Sequence, residues 1–234
     1  GYLVTLLAVF SGIAAPISGK LLDKKGGAFV LRIGFLSSVM GTLFLALVAA
    51  KTYAFLHVFI GLALMGVGVG FTMGAPLNYL VLNRASKENG ASALATMSLV
   101  RSIGVAISPN IMIGFIVNAG QNVVGNITTA IMPAGMQLPT SGNGSVPKEI
   151  LQQVQSADVT NIAERLMQFF NYVIPEDVKK FALPALEKSQ EVMTNVYQST
   201  INEGYAQMFI TTAVVATVGL MLTFFLKTRK QTTN

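Results

Sequence analysis

The sequence predicts an all-α membrane protein with five transmembrane helices. Only 11% of its 234 residues are charged and 52% are hydrophobic, whereas charged residues make up about a quarter of soluble domains. Five stretches are apolar over the roughly 20 residues that a helix needs to cross a hydrocarbon core about 30 Å thick. Most of the charges lie in short turns and in one long polar segment. Closed β-barrels would show short alternating segments instead of these continuous apolar runs.

The five predicted spans follow one another with a single long interruption. They are span A at residues 1–19, B at 31–50, C at 54–82, D at 92–118 and E at 204–226. Residues 119–203 form the interruption, and residues 227–234 form a C-terminal tail. The first apolar run begins at once, without a basic flank or a cleavage site, so it does not read as a signal peptide. A segment of a longer protein is the simpler interpretation.

The placement of lysine and arginine predicts the orientation of the spans, because cytoplasmic loops carry an excess of both. Bases cluster in the A–B turn, the C–D turn and the tail: Lys20, Lys24, Lys25 and Arg32; Arg84 and Lys87; Lys227, Arg229 and Lys230. The opposite side has only Lys51 in a short loop. We therefore expect a cytoplasmic C-terminus and an extracellular segment 119–203. Eight of the ten acids lie within residues 119–204, so the bases form no continuous basic groove and nucleic acid is not an expected partner.

The extracellular segment is predicted to be partly helical. Its first part, residues 119–147, carries Gly, Pro and Asn without a period and is expected to be irregular. Amphipathic patterns follow at residues 147–155, 160–173 and 175–198, with a kink or break at Pro184. Together they predict a helical cap over the outer mouth. Its role is either a gate or partner surface, or a simple tether between spans D and E.

The A–B turn, GKLLDKKGG at residues 19–27, places an acid among three lysines. Asp23 falls at or just beyond the end of span A, where an acid opposes the helix dipole. A neighbouring lysine or the N-terminus of another helix would be a better partner; the alternative is an ordinary solvated turn. Gly19, one helical turn earlier, would allow close helix approach, and Gly26 and Gly27 would permit the tight reversal into span B.

This turn resembles the loop signature of the major facilitator superfamily, which reads Gly, three residues, Asp, a base, any residue, Gly. Gly19, Asp23, Lys24 and Gly26 match it. The resemblance implies that the loop latches the inner gate, with the aspartate meeting a helix of the opposite bundle. The further basic pair of the signature is absent here, since Gly27 and Ala28 stand in its place.

Small residues recur every four positions in span C, at Gly66, Gly70, Gly74 and Asn78. Such a strip lets helix backbones approach closely, because van der Waals packing replaces the hydrophobic drive that is missing in lipid. The strip therefore serves helix packing or lines a cavity. In the first bundle of the superfamily the corresponding helix bears a buried arginine associated with proton coupling. Residues 54–82 contain no arginine.

Span D carries a small, polar face. Its members are Ser98, Ser102, Ala106, Asn110, Gly114 and Asn118. A face of this kind is expected to meet protein or a water-filled cavity, and Pro109 is expected to kink the helix. Arg101 lies about 15 Å into the helix at 1.5 Å per residue, where an unpaired charge costs at least about 2.5 kcal/mol. It is either a cation of the cavity or a brace between helices.

No pattern of catalytic or metal-binding residues stands out in the sequence. His57 has no second histidine and no acid close to it in sequence, and the absence of cysteine excludes disulfides and thiolate metal sites. No nucleophile, base and orienting group come together. An enzyme is therefore disfavoured, and neither a metal nor a cofactor is expected.

As a whole, the topology resembles most of the C-terminal six-helix bundle of a fourteen-helix drug:proton antiporter of the EmrB/QacA type. The run SKENGASALATMSLVRSIG and the ending YAQMFITTAVVATVGLMLTFFL carry the likeness. It implies a multi-pass plasma-membrane exporter of amphipathic molecules, driven by protons and working by alternating access. The implied partners are an amphipathic substrate, protons, the lipid bilayer and the missing N-terminal helices. Since spans A to E contain no Asp or Glu, either proton binding falls mainly to those missing helices or transport is not driven by protons.

Two alternatives remain open from the sequence. One is a major facilitator transporter of another small solute. The other is a non-transporting membrane receptor that binds a partner through its extracellular cap.

Overall fold

The fold is described by a computed structural model. The described residues are 2–52, 54–86, 88–131 and 187–226, together with the single positions Glu164, Met167, Lys180 and Pro184. The predicted helices of the extracellular segment between residues 147 and 186 lie almost wholly outside these ranges.

The described residues are almost entirely helical. The helices are α1 at Tyr2–Lys25, α2 at Gly27–Phe44 with a π-helical continuation at Leu45–Ala49, α3 at Phe55–Met73, α4 at Ala75–Arg84, α5 at Gly90–Ile131 and α6 at Gln190–Phe224. Counted with α3 and α4 as one segment, five helices are long and apolar enough to cross a membrane. The predicted all-α class with five membrane-length helices is thus confirmed for the described part of the chain.

The chain divides into two compact units. The first contains Gly1–Ile111 and Ala206–Asn234, and the second contains Met112–Tyr205. Most of the packing between the described helices lies in the first unit.

In the first unit, α3 packs between α1 and α2 through glycines on two of its faces. A methyl group at Gly70 would lie 2.6 Å from the carbonyl oxygen of Ser11 in α1, and one at Gly68 would lie 2.8 Å from the carbonyl oxygen of Gly34 in α2. Such separations are far below van der Waals contact, so the three backbones approach as closely as the absence of side chains permits. A small cluster that includes Leu22 and Phe71 fills the space beside these contacts.

Helix α1 extends six residues beyond the predicted end of span A, and α2 begins four residues before the predicted start of span B. The reversal is therefore a single residue, Gly26, and not a turn over residues 19–27. Its N–H donates to the Leu22 carbonyl at 2.9 Å, and its own carbonyl accepts from the Val30 N–H at 3.4 Å. Gly26 has φ 83° and ψ 160°, a backbone region that is essentially restricted to glycine.

Replacing Gly26 with alanine is expected to destabilise the helix pair by about 2 kcal/mol, because a β-carbon strains this conformation. The midpoint of unfolding in denaturant, measured in detergent micelles, checks the effect. Gly19→Ala is the matched control, since a methyl there meets nothing within 4 Å and alanine favours a helix over glycine. Equal midpoints for Gly26→Ala and the unchanged protein would show that the joint tolerates a side chain.

The single long helix predicted for span C is wrong, because the helix is interrupted at Gly74. Pro76, two residues later, is the cause. Proline has no N–H to donate to the carbonyl of Thr72, and its ring clashes with that carbonyl in a continuous helix. In the first turn of a new helix the missing N–H has no such consequence, so α4 begins at Ala75.

The expectation of irregular structure from residue 119 is also wrong for residues 119–131, which continue α5. In the second unit, α5 packs against the first half of α6. The buried residues recur at helical spacing: Ala119, Val123 and Ile127 from α5, and Met193, Tyr197, Thr200 and Gly204 from α6. The Asn126 side-chain amide donates to the Thr200 hydroxyl at 3.0 Å. Burial against a partner helix thus outweighs the weak local preferences of glycine and asparagine.

The same packing moves the start of the last helix from the predicted residue 204 to Gln190. With 42 residues, α5 is about 63 Å long at 1.5 Å per residue, roughly twice the hydrocarbon thickness. The two helices are thus longer than a simple crossing requires.

Candidate functional site

The predicted loop motif lies at one end of the first unit, in the last two turns of α1 and at the start of α2. Lys20, Asp23, Lys24 and Lys25 are all exposed. The Lys25 ammonium lies 5.6 Å from the centre of the Phe29 ring. The cations of the motif therefore face outward from the helices.

Asp23 has no hydrogen bond and no ion pair within the part of the chain that the structure describes. The predicted partner, a neighbouring lysine or a helix N-terminus, is not found there. Asp23 sits in the last turn of α1, close to helix carbonyls that carry partial negative charge. An exposed carboxylate in such a position is free to accept hydrogen bonds from a group supplied by another part of the protein.

Two glycines of the motif, Gly19 and Gly27, have roles that differ from the predicted ones. A methyl at Gly19 would meet nothing within 4 Å, so the expected close helix approach at this residue is wrong among the described helices. Closest packing of α1 instead involves Ser11, Ala14 and Ser18, which lie on another face. Gly27 is the tight position, since a methyl there would lie 2.8 Å from the Leu80 side chain of α4.

Long-range contacts bring several basic residues of the first unit to a common end. Gly27 of α2 touches Leu80, one turn before Arg84 at the end of α4. Arg32 of α2 touches Thr223 near the end of α6. The end of α1, the start of α2 and the ends of α4 and α6 are therefore neighbours, while Lys51 follows the far end of α2. This arrangement agrees with the charge asymmetry read from the sequence.

Arg32 makes a contact that sequence reasoning missed. Its Nη2 donates to the Thr223 carbonyl at 3.2 Å, and its guanidinium lies 4.6 Å from the centre of the Phe224 ring. From the sequence, Arg32 is predicted only to be one of the basic residues on the cytoplasmic side. No local signal points to Thr223, which lies 191 residues further along the chain.

Of the strip predicted in span C, two members pack and two do not. Gly66 and Gly70 lie against α1, where methyl groups would fall 2.8 Å from the Leu7 carbonyl and 2.7 Å from the Ala14 β-carbon respectively. Gly74 marks the end of α3, and Asn78 is exposed on α4. The break at Gly74 ends the four-residue register, so Asn78 does not continue the packed strip.

A second set of glycines, which the sequence reading missed, joins α3 to α2. Gly34 and Gly41 of α2 face Gly61 and Gly68 of α3. Gly34 and Gly41 are seven residues apart, and so are Gly61 and Gly68. Residues seven apart share a helix face, so this spacing is the feature of the sequence that could have predicted the contact. The Ser37 hydroxyl reinforces the contact by donating to the Leu64 carbonyl of α3 at 2.7 Å.

The polar face predicted in span D is open among the described residues. Ser98, Arg101, Ser102 and Asn110 are exposed in the first unit, as is Pro109, which lies inside α5. Gly114, in the second unit, is exposed as well, with nothing within 4 Å of an added methyl. None of the 18-residue apolar segment of α5 is buried. The described helices therefore leave α5 uncovered on all sides over residues 98–111, this face included.

A cavity of about 370 Å³ lies on the surface of the second unit. Its lining residues are Asn126, Thr129, Ala130, Val196, Ser199, Thr200 and Glu203. Amide, hydroxyl and carboxylate groups share this lining with the apolar side chains of Ala130 and Val196, and the cavity is open. It is therefore a mixed surface depression and not the enclosed, mostly apolar pocket that small-molecule sites usually are.

His57 lies at the end of the first unit opposite to the loop motif. Its Nδ1 is 3.1 Å from the Thr52 hydroxyl, and its ring centre is 6.2 Å from that of Phe44. Across the described ranges, no group of three or more His, Asp and Glu residues is placed to hold a metal ion.

Comparisons with known proteins bear on the chain as a whole. Residues 1–109 match the family model described as Major Facilitator Superfamily. Over 216 residues the chain is 29% identical to a protein of Bacillus subtilis (strain 168) that is named as an uncharacterized MFS-type transporter, YfiU. No solved structure matches the chain.

The match to the Bacillus protein covers 92% of this chain but 37% of that protein, so the chain spans little more than a third of the length of its curated relative. Both comparisons are with the major facilitator superfamily, and the Bacillus protein is named as a transporter. Together with the five apolar helices, they support a multi-pass membrane protein.

Proposed function

We propose that this chain is the C-terminal part of a multidrug efflux transporter of the major facilitator superfamily. The complete protein exports amphipathic small molecules in exchange for protons, by alternating access between two bundles of helices. The observation that carries the proposal is the open face of α5, which combines serine, asparagine and arginine with an apolar segment of membrane length. The likeness to fourteen-helix drug:proton antiporters supports the drug specificity and the coupling.

A polar face at membrane depth is costly in lipid, and such faces normally meet protein or a water-filled cavity. The described helices leave the polar face of α5 uncovered, so in the complete transporter the helices that precede this chain would cover it. Ser98, Ser102 and Asn110 then line the pathway with sparse hydrogen-bonding groups between apolar walls. That composition suits substrates that are amphipathic and varied in shape.

Proton coupling needs groups that titrate inside the membrane, and these are normally carboxylates or histidines. The five spans read from the sequence contain neither Asp nor Glu, and their one histidine, His57, lies near the end of span C that is opposite to the loop motif. The proposal therefore places the proton-binding carboxylates in the preceding helices and leaves Arg101 as the cation of this half. A cation at that position repels a positively charged substrate, unless a carboxylate from the facing bundle pairs with it.

The proposed orientation follows from the charges. The end of the first unit that bears the loop motif faces the cytoplasm, together with the C-terminal tail, and residues 119–203 lie outside the plasma membrane. The inside-positive bias and the gathering of Lys20, Lys24, Lys25, Arg32 and Arg84 at a common end of the first unit support this orientation.

Drug accumulation in cells tests the proposal. The full-length protein, expressed in cells that lack their own exporters, is expected to lower steady-state ethidium accumulation at least three-fold. A protonophore is expected to abolish the difference, because collapse of the proton gradient removes the driving force. A full-length Arg101→Gln variant is a useful companion, since it is expected to change ethidium efflux while leaving the amount of inserted protein unchanged.

The other outcomes point elsewhere. Efflux that persists with the protonophore contradicts proton coupling. Unchanged accumulation of ethidium and of other amphipathic cations contradicts multidrug export, and uptake assays with other small solutes then distinguish a transporter of another substrate from a receptor.

A further inference from the structure

The C-terminal end of α6 is held against α2 within the first unit by two neighbouring contacts. Gly219 lies under the Phe35 ring, so closely that an added methyl would fall 2.5 Å from a ring carbon. One turn later, Arg32 reaches the Thr223 carbonyl and the Phe224 ring. Arg32 and Phe35 are three residues apart on α2 and therefore share a face.

The chemistry at the end of α6 suits a guanidinium. The last carbonyls of a helix have no partner within it, and they carry the negative end of the helix dipole. The Thr223 carbonyl accepts from the Leu226 N–H at 3.2 Å and from Arg32 Nη2 at 3.2 Å. The delocalised cation also lies over the face of an aromatic ring, so Arg32 contacts two consecutive residues of the helix end.

The lysines of the loop motif, at the same end, are placed differently from Arg32. Lys20, Lys24 and Lys25 are exposed. Thr223 is only 2% exposed, so the carbonyl that Arg32 reaches belongs to a buried residue and not to a frayed helix end.

The contact also has a cost. The Arg32 Nε is buried and has no hydrogen-bond partner among the described residues, and an unmet buried N–H is unfavourable. An aliphatic residue at this position would avoid that cost but would leave the helix end without its cation. The expected consequence of removing the guanidinium is therefore a change in where the helix end lies, with little change in how much protein folds.

We propose that Arg32 is an electrostatic clamp that fixes the C-terminal end of α6 on α2. It is a positioning residue, and it touches neither substrate nor coupling ion in this role. The inference goes beyond the proposed transport activity and does not depend on it, because the clamp is a property of the helix pair.

Pulsed electron resonance between two spin labels measures the effect directly. Met40 of α2 and Leu222 of α6 are 54% and 62% exposed, so cysteines at these positions carry labels without disturbing the contact. The chain has no cysteine of its own, and any in the rest of the full-length protein are replaced. The full-length protein with Arg32 intact is expected to give a narrow distance distribution.

Arg32→Met is expected to widen the distribution at least two-fold while the amount of inserted protein stays within two-fold. Arg32→Lys, which keeps a donor and a charge but not the planar cation, is expected to give an intermediate width. Lys24→Met is the matched control, because it removes a charge of the same sign from an exposed position at the same end. Its distribution is expected to stay narrow.

A distribution that stays narrow in Arg32→Met overturns the clamp. Equal widening in Lys24→Met also overturns it, since the effect then belongs to the total charge of this end. Should Arg32→Met fail to insert, Arg32→Lys and Phe224→Leu carry the test, because Phe224 is exposed and its ring is the second point of contact. Narrow distributions in both of these variants overturn the proposal in the same way.

Discussion

Replacing Gly68 with alanine is expected to cost the protein about 3 kcal/mol or more, which lowers the ratio of folded to unfolded protein about 100-fold. The new methyl would lie 2.7 Å from the Ser38 backbone nitrogen and 2.8 Å from the Gly34 carbonyl oxygen. Both obstacles are backbone atoms of α2, which cannot rotate away as a flexible side chain can. Relief requires α2 and α3 to separate, and overpacking of this kind typically costs 1–3 kcal/mol or more.

Separation of α2 from α3 would also weaken the neighbouring contacts. Gly41 lies seven residues after Gly34 on α2. A methyl at Gly41 would lie 2.7 Å from the Met65 backbone nitrogen, so α2 and α3 are in close contact over two turns. Dispersion attraction falls steeply with a gap of even 1 Å. The loss at Gly68 therefore spreads along the interface.

Fluorescence-detected size-exclusion chromatography of the full-length protein checks the expectation. Gly68→Ala is expected to reduce the monodisperse fraction at least five-fold. Gly12→Ala serves as the control, because Gly12 is also a helical glycine of the first unit and a methyl there meets nothing within 4 Å among the described residues. Similar recovery of Gly68→Ala and Gly12→Ala would show that the α2–α3 contact is looser than described here.

Replacing Asp23 with asparagine is expected to reduce transport by the full-length protein at least ten-fold, while the amount of inserted protein stays within two-fold. Asp23 is exposed and has no partner among the described residues, so its charge stabilises nothing in the helices that surround it. The resemblance of this turn to the major facilitator loop signature predicts a partner on the opposite bundle, and we expect that contact to form only in one state of the transport cycle. Loss of the carboxylate then removes an interaction of that state alone.

Ethidium efflux and the amount of membrane-inserted protein are measured together on the same cells. Glu88→Gln is the matched control, since Glu88 is another exposed acid outside the 119–204 segment and lies outside the loop motif. Its efflux is expected to stay within two-fold of the unchanged protein. Equal losses of inserted protein and of efflux in Asp23→Asn would mean that the aspartate serves folding and not gating.

The ethidium and spin-label experiments test the two proposals separately. Failure of ethidium export by the unchanged protein would end the drug-transport proposal, yet it would leave the spin-label experiment on Arg32 intact. A broadened distribution in Arg32→Met with normal export would, in turn, support a clamp that serves the helix pair without limiting the transport cycle.

The predicted helices differ from the observed ones chiefly at their ends. The prediction ends span A at Gly19, where the apolar run stops, but Lys20, Leu21 and Leu22 are good helix formers, and Leu22 is buried. The prediction ends span D at residue 118 because Gly and Asn become frequent there. Val123 and Ile127 keep that segment helical by packing against α6, and Met193 and Tyr197 do the same from the other side. These partners lie about 70 residues away in sequence, beyond the reach of any local pattern.

The candidate site divides along the same line. Gly26 could be assigned to the reversal from its identity, since few other residues adopt a positive φ, whereas Gly27 is the first residue of α2. The tasks of the remaining glycines depended on which helix faces them. A methyl group added at Gly66 or Gly70 would contact α1, and one at Gly68 would contact α2. One at Gly19 would contact none of the described helices, although the sequence alone does not distinguish these four glycines.

The sequence alone predicts those properties that depend on a single segment of the chain. A run of apolar residues long enough to cross hydrocarbon must satisfy its own backbone as a helix, and a cluster of lysines favours one side of the membrane; neither property needs knowledge of any neighbour. The pairing of Gly34 with Gly68 and the reach of Arg32 to Thr223 required the folded arrangement. Each joins residues that are distant in sequence, and each depends on how the helices are rotated about their axes, which small differences in packing energy determine.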